Sequence, residues 1–82
     1  MKRLSEENAI YTPGSGTTVM INYSFKKRIL EVEFTGGKTY HYLNVEPDVW
    51  KSYKSEVESG ESSGQFVNFR IKPFYEFVLI NP

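Results

Sequence analysis

The chain has 82 residues, with ten basic and ten acidic side chains, one histidine and no cysteine. This length allows one small domain that buries only about 60% of its unfolded surface, and the absence of cysteine excludes disulfides, cysteine-based metal sites and a thiol nucleophile. A net charge of zero argues against a protein that binds nucleic acid by neutralising many phosphates.

Residues 1–16 mix charged and small polar residues with few apolar ones, and they end in Pro13-Gly14-Ser15-Gly16. Such a composition cannot bury a face, so we predict a flexible arm over 1–16 and a single domain over 17–82. The start has no apolar segment of the kind found in signal peptides, and no stretch approaches the ~20 apolar residues of a membrane span. A cytoplasmic protein without membrane contact is therefore expected.

Three segments alternate apolar and polar residues as half-buried strands do. They are Thr18–Tyr23, Leu30–Phe34 and Thr39–Leu43. Because short links join them, they are predicted to form a three-stranded antiparallel meander. Within the first segment, Val19, Ile21 and Tyr23 share the face that is expected to turn towards the core.

The turn between the second and third strands decides which face carries Tyr40 and Tyr42, because a one-residue slip exchanges the two faces. A two-residue turn at Gly36-Gly37 places both tyrosines with the glutamates of the second strand, towards solvent. A three-residue loop with Gly37 left-handed places them with the apolar residues of that strand, in the core. We favour the three-residue loop because it separates apolar from polar side chains more cleanly. It leaves His41 exposed on the polar face.

The main helix is predicted to begin at Pro47, since proline suits the first helical position. One apolar stripe then follows at helical spacing. Its members are Val49, Trp50, Tyr53 and Val57. This stripe is expected to cover the apolar face of the sheet, which places the single tryptophan in the core.

A capping pattern at Ser62 predicts a short second helix over Gln65–Lys72, ended by Pro73. The alternation of Val67 and its neighbours fits a strand equally well, and we favour the helix. Phe74–Ile80 is rich in aromatic and branched residues and is predicted to be a last strand beside the first one. The fold class is therefore α+β.

The order and spacing of these segments resemble the KTSC domain, a family named for a segment at the C-terminus of some lysyl-tRNA synthetases. Its Tyr-x-Tyr hallmark corresponds to Tyr40 and Tyr42, and the resemblance extends over about residues 18–75. The positions that carry it are Tyr23, Leu30-x-Val32-x-Phe34, Gly37, Tyr40-His41-Tyr42, Val45-x-Pro47 and Ser63-Gly64-x-Phe66-x-Asn68-x-x-Ile71. In one departure from the family pattern, Val67 separates Phe66 from Asn68.

The family also occurs as small stand-alone bacterial proteins and has no established activity. Attachment to a tRNA-charging enzyme implies contact with RNA, by association and not by the physics of the fold. The resemblance thus adds a ligand class to consider, while packing is the expected role of Tyr40 and Tyr42.

One histidine, no cysteine and scattered carboxylates offer no convergent acid, base and nucleophile, so no enzyme activity and no cofactor are predicted. His41 with Glu31 or Glu33 supplies two metal ligands at most, since no second histidine or cysteine completes a zinc shell. An exposed strand histidine and no metal site are the expectation.

Two cationic clusters are candidates for binding RNA or single-stranded DNA. Their residues are Lys26, Lys27 and Arg28 at the first turn, and Arg70 and Lys72 among Phe66, Phe69, Phe74 and Tyr75. Interleaved cations and rings are the groups that contact phosphates and stack on bases. The plainer interpretation is solvated surface cations beside core rings. The alternative function is protein interaction through a sheet edge or helix face, and a monomer is expected.

Overall fold

The computed structural model describes residues 2–80, which form a sheet of five strands with helices on one face. The elements in chain order are a 3-10 turn Glu6–Asn8, β1 Ile10–Tyr11, β2 Thr18–Ser24, β3 Ile29–Phe34, β4 Thr39–Tyr42, α1 Pro47–Glu58, α2 Ser63–Phe66, a π-helical turn Val67–Ile71 and β5 Phe77–Ile80. All neighbouring strands are antiparallel, in the order β1-β2-β3-β4-β5. The α+β class is confirmed.

The sheet is larger than the predicted three-stranded meander. β1 comes from the segment predicted to be a flexible arm and pairs with β2, with Ile10 opposite Ile21. The C-terminal strand pairs with β4, with Phe77 opposite Tyr42, so its predicted position beside the first strand is wrong. The physical reason is that β1 occupies the outer edge of β2, and β4 offers the open edge. The mobility of residues 1–16 stays a prediction.

The β3–β4 hairpin has the register of the three-residue loop, as predicted. Phe34 N–H donates to Lys38 O at 2.8 Å, and Val32 lies opposite Tyr40. Both glycines of the loop have positive φ, 95° and 92°, a conformation that residues with a β-carbon rarely adopt. Tyr42 is buried in the core, whereas Tyr40 is half-buried at its margin.

Val19 does not join the core face of β2. The register between β2 and β3 shifts between Thr18 and Met20, and such a β-bulge turns one residue away from the ladder. Val19 is therefore exposed, while Ile21 and Tyr23 remain buried on the helix side as predicted.

α1 packs on the sheet through two buried aromatic rings. Trp50 stacks on Tyr23 with ring centroids 5.6 Å apart and planes 8° apart, and Tyr53 stacks on Phe66 of α2 at 4.3 Å. The two valines of the stripe pack at the edge of the same core. The predicted covering helix and the core position of the tryptophan are confirmed.

The second helix is also confirmed, and Ser62 caps it by accepting a hydrogen bond from Gln65 N–H at 3.2 Å. Beyond Phe66 the helix widens, since Lys72 N–H donates to Val67 O at 2.9 Å, five residues back. Such π turns are rare and usually one turn long. This one begins at the residue that separates Phe66 from Asn68. No helix within residues 2–80 has the length and apolar composition needed to cross a bilayer.

A buried chain of hydroxyl groups joins β2 to both helices. Thr18 Oγ1 donates to Ser63 Oγ at 2.9 Å, and Ser63 Oγ lies 2.8 Å from the hydroxyl of Tyr53. Thr12 extends the chain, with its Oγ1 2.7 Å from Thr18 Oγ1. Burial raises the pKa of Tyr53, so its hydroxyl stays protonated and donates to Ser63 O at 3.1 Å.

Gly64, next to Ser63, lies against the start of β2. A β-carbon at this position would lie 2.7 Å from Thr17 Oγ1 and 2.8 Å from Thr17 Cβ. Because the two backbones would have to separate, we expect Gly64→Ala to lower stability by about 1–3 kcal/mol. Thermal denaturation measures this, with Gly14→Ala as the control because nothing lies within 4 Å of its β-carbon position. Equal melting temperatures for the two variants would contradict the close approach.

Candidate functional site

Three aromatic side chains form a patch on the helix side of the sheet, towards the edge at β5. Tyr40 is at its centre, with its ring centroid 5.6 Å from that of Phe34 and 5.3 Å from that of Phe77, both in edge-to-face geometry. Phe77 is 60% exposed, and the other two rings are half-buried. We call Phe34, Tyr40 and Phe77 the aromatic patch. It presents ring surface to solvent on neighbouring strands.

Lys72 lies beside this patch. Its Nζ is 5.0 Å from the centroid of the Phe34 ring, which is within the range of a cation–π contact. Among residues 2–80, Lys72 takes part in no salt bridge. Its charge is therefore available to an anion that approaches the rings.

Arg70 contacts different elements from Lys72, although both are in the predicted cationic cluster. Its guanidinium carbon lies 4.8 Å from the centroid of the Phe66 ring, and its Nη1 lies 3.6 Å from Glu56 Oε2 on α1. The carboxylate offsets part of the arginine charge. Arg70 therefore faces α1, while Lys72 faces β3 and the aromatic patch.

The two rings after the π turn differ in exposure. Phe74 is exposed, whereas Tyr75 is half-buried and packs against the core. The N–H groups of both residues donate to Ile71 O, at 3.0 and 3.2 Å. Phe74 is thus the freer of the two predicted stacking residues.

The cluster Lys26, Lys27 and Arg28 occupies the β2–β3 turn, at the opposite end of β3 from the aromatic patch. β3 runs from Ile29 beside this turn to Phe34, which corresponds to about 17 Å at the usual rise of a strand. Arg28 has a φ of 54°, and its carbonyl accepts a hydrogen bond from Val45 N–H at 2.9 Å. The fold therefore does not bring this cluster next to Lys72.

The other face of the sheet carries a buried acid–histidine pair. Glu31 and His41 are each 1% exposed, and the expectation of an exposed histidine is wrong. His41 Nε2 lies 2.7 Å from Glu31 Oε2, and Arg3 Nε lies 3.2 Å from the same oxygen. Because an ionised carboxylate only accepts hydrogen bonds, Nε2 is the donor. Leu4 N–H also donates to this oxygen, at 3.0 Å.

The N-terminal segment covers this face, and that is the physical reason for the correction. Besides the contacts of Arg3 and Leu4, Ser5 O accepts a hydrogen bond from Asn22 Nδ2 at 2.9 Å. The polar composition of the face suggested solvent contact, and no periodic signal in the sequence shows that residues 3–5 return across it. The only sign of a buried pair in the sequence was that the predicted register places Glu31 opposite His41 on adjacent strands.

Several contacts keep Glu31 ionised. Burial alone raises the pKa of this carboxyl, but the hydrogen bonds from His41 and Leu4 N–H and the charge of Arg3 outweigh burial, so its pKa lies below the usual range. His41 Nδ1 is buried without a hydrogen-bond partner among residues 2–80. The same part of the chain has no group of three or more histidine, cysteine, aspartate and glutamate side chains arranged to hold a metal ion. The pair ties the N-terminal segment to the sheet.

Comparison with known proteins agrees with the resemblance seen in the sequence. The KTSC domain family matches residues 15–75, a range that includes the Tyr-x-Tyr strand, both helices and the π turn. A protein from Tsukamurella paurometabola is 38% identical over 58 residues, which are 71% of this chain and 81% of that protein. The crystal structure of a KTSC domain protein from Yersinia pestis is similar with a TM-score of 0.65 and 29% identity, over 82% of this chain and 89% of that one. The chain belongs to the KTSC domain family.

Proposed function

We propose that this domain is a non-enzymatic module that binds RNA or single-stranded DNA weakly, through the aromatic patch and Lys72. The observation that carries the proposal is the exposed ring of Phe77 beside Tyr40, with Lys72 Nζ 5.0 Å from the ring of Phe34. Sheets that bind single strands use rings on adjacent strands for base stacking and nearby cations for phosphate contact.

The residues of the site have separate roles in this proposal. Phe77 supplies the main surface on which a base stacks, and Lys72 contacts phosphate. Tyr40 packs against the Phe77 ring in edge-to-face geometry, and its hydroxyl is a further polar group at the site. Phe74 is a second exposed ring close in sequence.

Arg70 contributes less because Glu56 offsets its charge. Tyr42 stays in the core, where burial and the neighbouring Tyr40 raise its pKa to about 12.

The zero net charge sets the expected strength of binding. With about two to five cations near any bound strand, counterion release from a single strand gives a slope of about −1.4 to −3.5 in log K against log salt concentration. Affinity is then micromolar or weaker at physiological salt, as for sequence-independent binders.

An amide-shift titration at low salt tests the proposal, with RNA and DNA oligomers of about eight nucleotides. We expect shifts at β4, at β5 and at residues 72–77. Phe77→Ala should weaken binding by about 5- to 150-fold, the effect of removing one base–ring stack. Lys72→Ala should weaken it by about fivefold and make the salt slope shallower by about 0.7, because one phosphate is no longer neutralised.

Lys51→Ala is the matched control, because Lys51 is an exposed cation on α1. It should leave binding unchanged, and the folding of each variant is checked by its amide spectrum. The proposed site would be wrong if no oligonucleotide caused amide shifts, or if Lys72→Ala and Lys51→Ala weakened binding equally.

A further inference from the structure

β5 is a four-residue edge strand that has no charged residue, no proline and no bulge. It is the last strand of the sheet, none of its residues Phe77–Ile80 is charged, and Phe77, Val78 and Leu79 are exposed. Edge strands are commonly protected by charge, proline, a bulge or short length. The opposite edge has such protection, since β1 is only two residues long.

The hydrogen-bond pattern shows which backbone groups of β5 point outwards. Leu43 N–H donates to Glu76 O at 2.9 Å, so these two residues form a hydrogen-bonded pair of the antiparallel ladder. Hydrogen-bonded and non-bonded pairs alternate along such a ladder. Phe77 and Leu79, opposite Tyr42 and Tyr40, therefore belong to non-bonded pairs. Their N–H and C=O groups point away from β4.

We propose that β5 pairs antiparallel with β5 of a second copy of this chain, with the two-fold axis at Val78. This register places Phe77 opposite Leu79 of the second copy, and each such pair exchanges two backbone hydrogen bonds through the outward groups. The two five-stranded sheets join into one continuous sheet. A two-fold interface of this kind needs a self-complementary surface.

Charge and side-chain size favour a second copy as the partner. The proposed register places Glu76 opposite Ile80, so the two Glu76 side chains do not face each other, and no like charges meet along the strand. The net charge of zero removes long-range repulsion between copies. The larger Phe77 meets the smaller Leu79 on the same face.

The interface should be weak because it is short. Two four-residue strands with the adjoining rings fall below the area of stable complexes, so a dissociation constant on the order of 10⁻⁵ to 10⁻³ M is expected. Because antiparallel neighbours related by this axis present the same face, the dimer would place two aromatic patches side by side. The pairing itself does not depend on nucleic-acid binding.

Sedimentation velocity from about 10 μM to about 1 mM tests the proposal across that range. The wild-type protein should change from monomer to dimer, and Leu79→Lys should stay monomeric. Leu79→Pro should also stay monomeric, since it removes an outward N–H and leaves the β4 ladder intact. Phe69→Lys is the control, because it places the same charge at an exposed ring on the π turn, and it should dimerise like the wild type.

Amide hydrogen exchange provides a readout that needs no variant. Phe77 and Leu79 N–H should exchange freely in dilute protein and become protected at high concentration. A wild-type protein that stays monomeric at about 1 mM, or a dimer in which these two amides stay unprotected, would overturn the pairing. A dimer equally populated in Leu79→Lys would do so as well.

Discussion

Trp50→Ala is expected to destabilise the domain by about 3–5 kcal/mol, a large part of the total of about 5–15 kcal/mol that holds small domains folded. Trp50 is 2% exposed, and its ring stacks on Tyr23 at 5.6 Å. Its removal opens a cavity between α1 and β2, next to the buried ring of Tyr23. The melting temperature should fall by more than about 12 °C.

Circular dichroism during heating measures this loss, with Phe69→Ala as the matched control. Phe69 is exposed on the π turn, so truncation of this ring should change stability by less than about 0.5 kcal/mol. A Trp50→Ala melting temperature within a degree or two of the wild type would refute the role of this ring in the core.

Glu31→Ala should destabilise the domain by a comparable amount, about 3–5 kcal/mol, because it leaves the buried His41 and the guanidinium of Arg3 without their shared acceptor. Leu4 N–H loses its partner as well. Urea unfolding at neutral pH measures the effect. Glu33→Gln is the control: Glu33 also pairs with Arg3, but it is 28% exposed, so its replacement should cost less than about 1 kcal/mol.

The same carboxylate should make stability depend on pH in acid. The pKa of Glu31 is lower in the folded protein than its usual value, which is about 4.3 in an unfolded chain. Ionised Glu31 therefore stabilises the fold above about pH 4.3, and this stabilisation is lost as the pH falls from there towards the folded-state pKa. Glu31→Gln should lose less stability than the wild type between about pH 5 and pH 3. Equal losses would show that another group controls the acid response.

The candidate site was only partly visible in the sequence. Interleaved rings and cations indicated the region around Lys72 and Phe74, but the patch itself joins Phe34, Tyr40 and Phe77 from three strands. The sequence predicts the strand that carries Phe77, but it does not show that this strand lies beside β4. Arg70 and Lys72 are two residues apart but contact different elements. Their spacing in the sequence therefore did not show that only Lys72 lies beside the aromatic patch.

Local pattern in the sequence determined β2, β3, β4, the stripe of α1 with Trp50 and the cap at Ser62. It also determined the β3–β4 register, because a period of two or 3.6 residues fixes which side chains share a face. Tertiary structure alone decided that residues 3–5 cover Glu31 and His41, that β5 lies beside β4, and that a bulge exposes Val19. These features depend on contacts between residues far apart in the chain, as between Leu4 and Glu31. The free energy of such contacts comes from packing and hydrogen bonds that no local periodicity encodes.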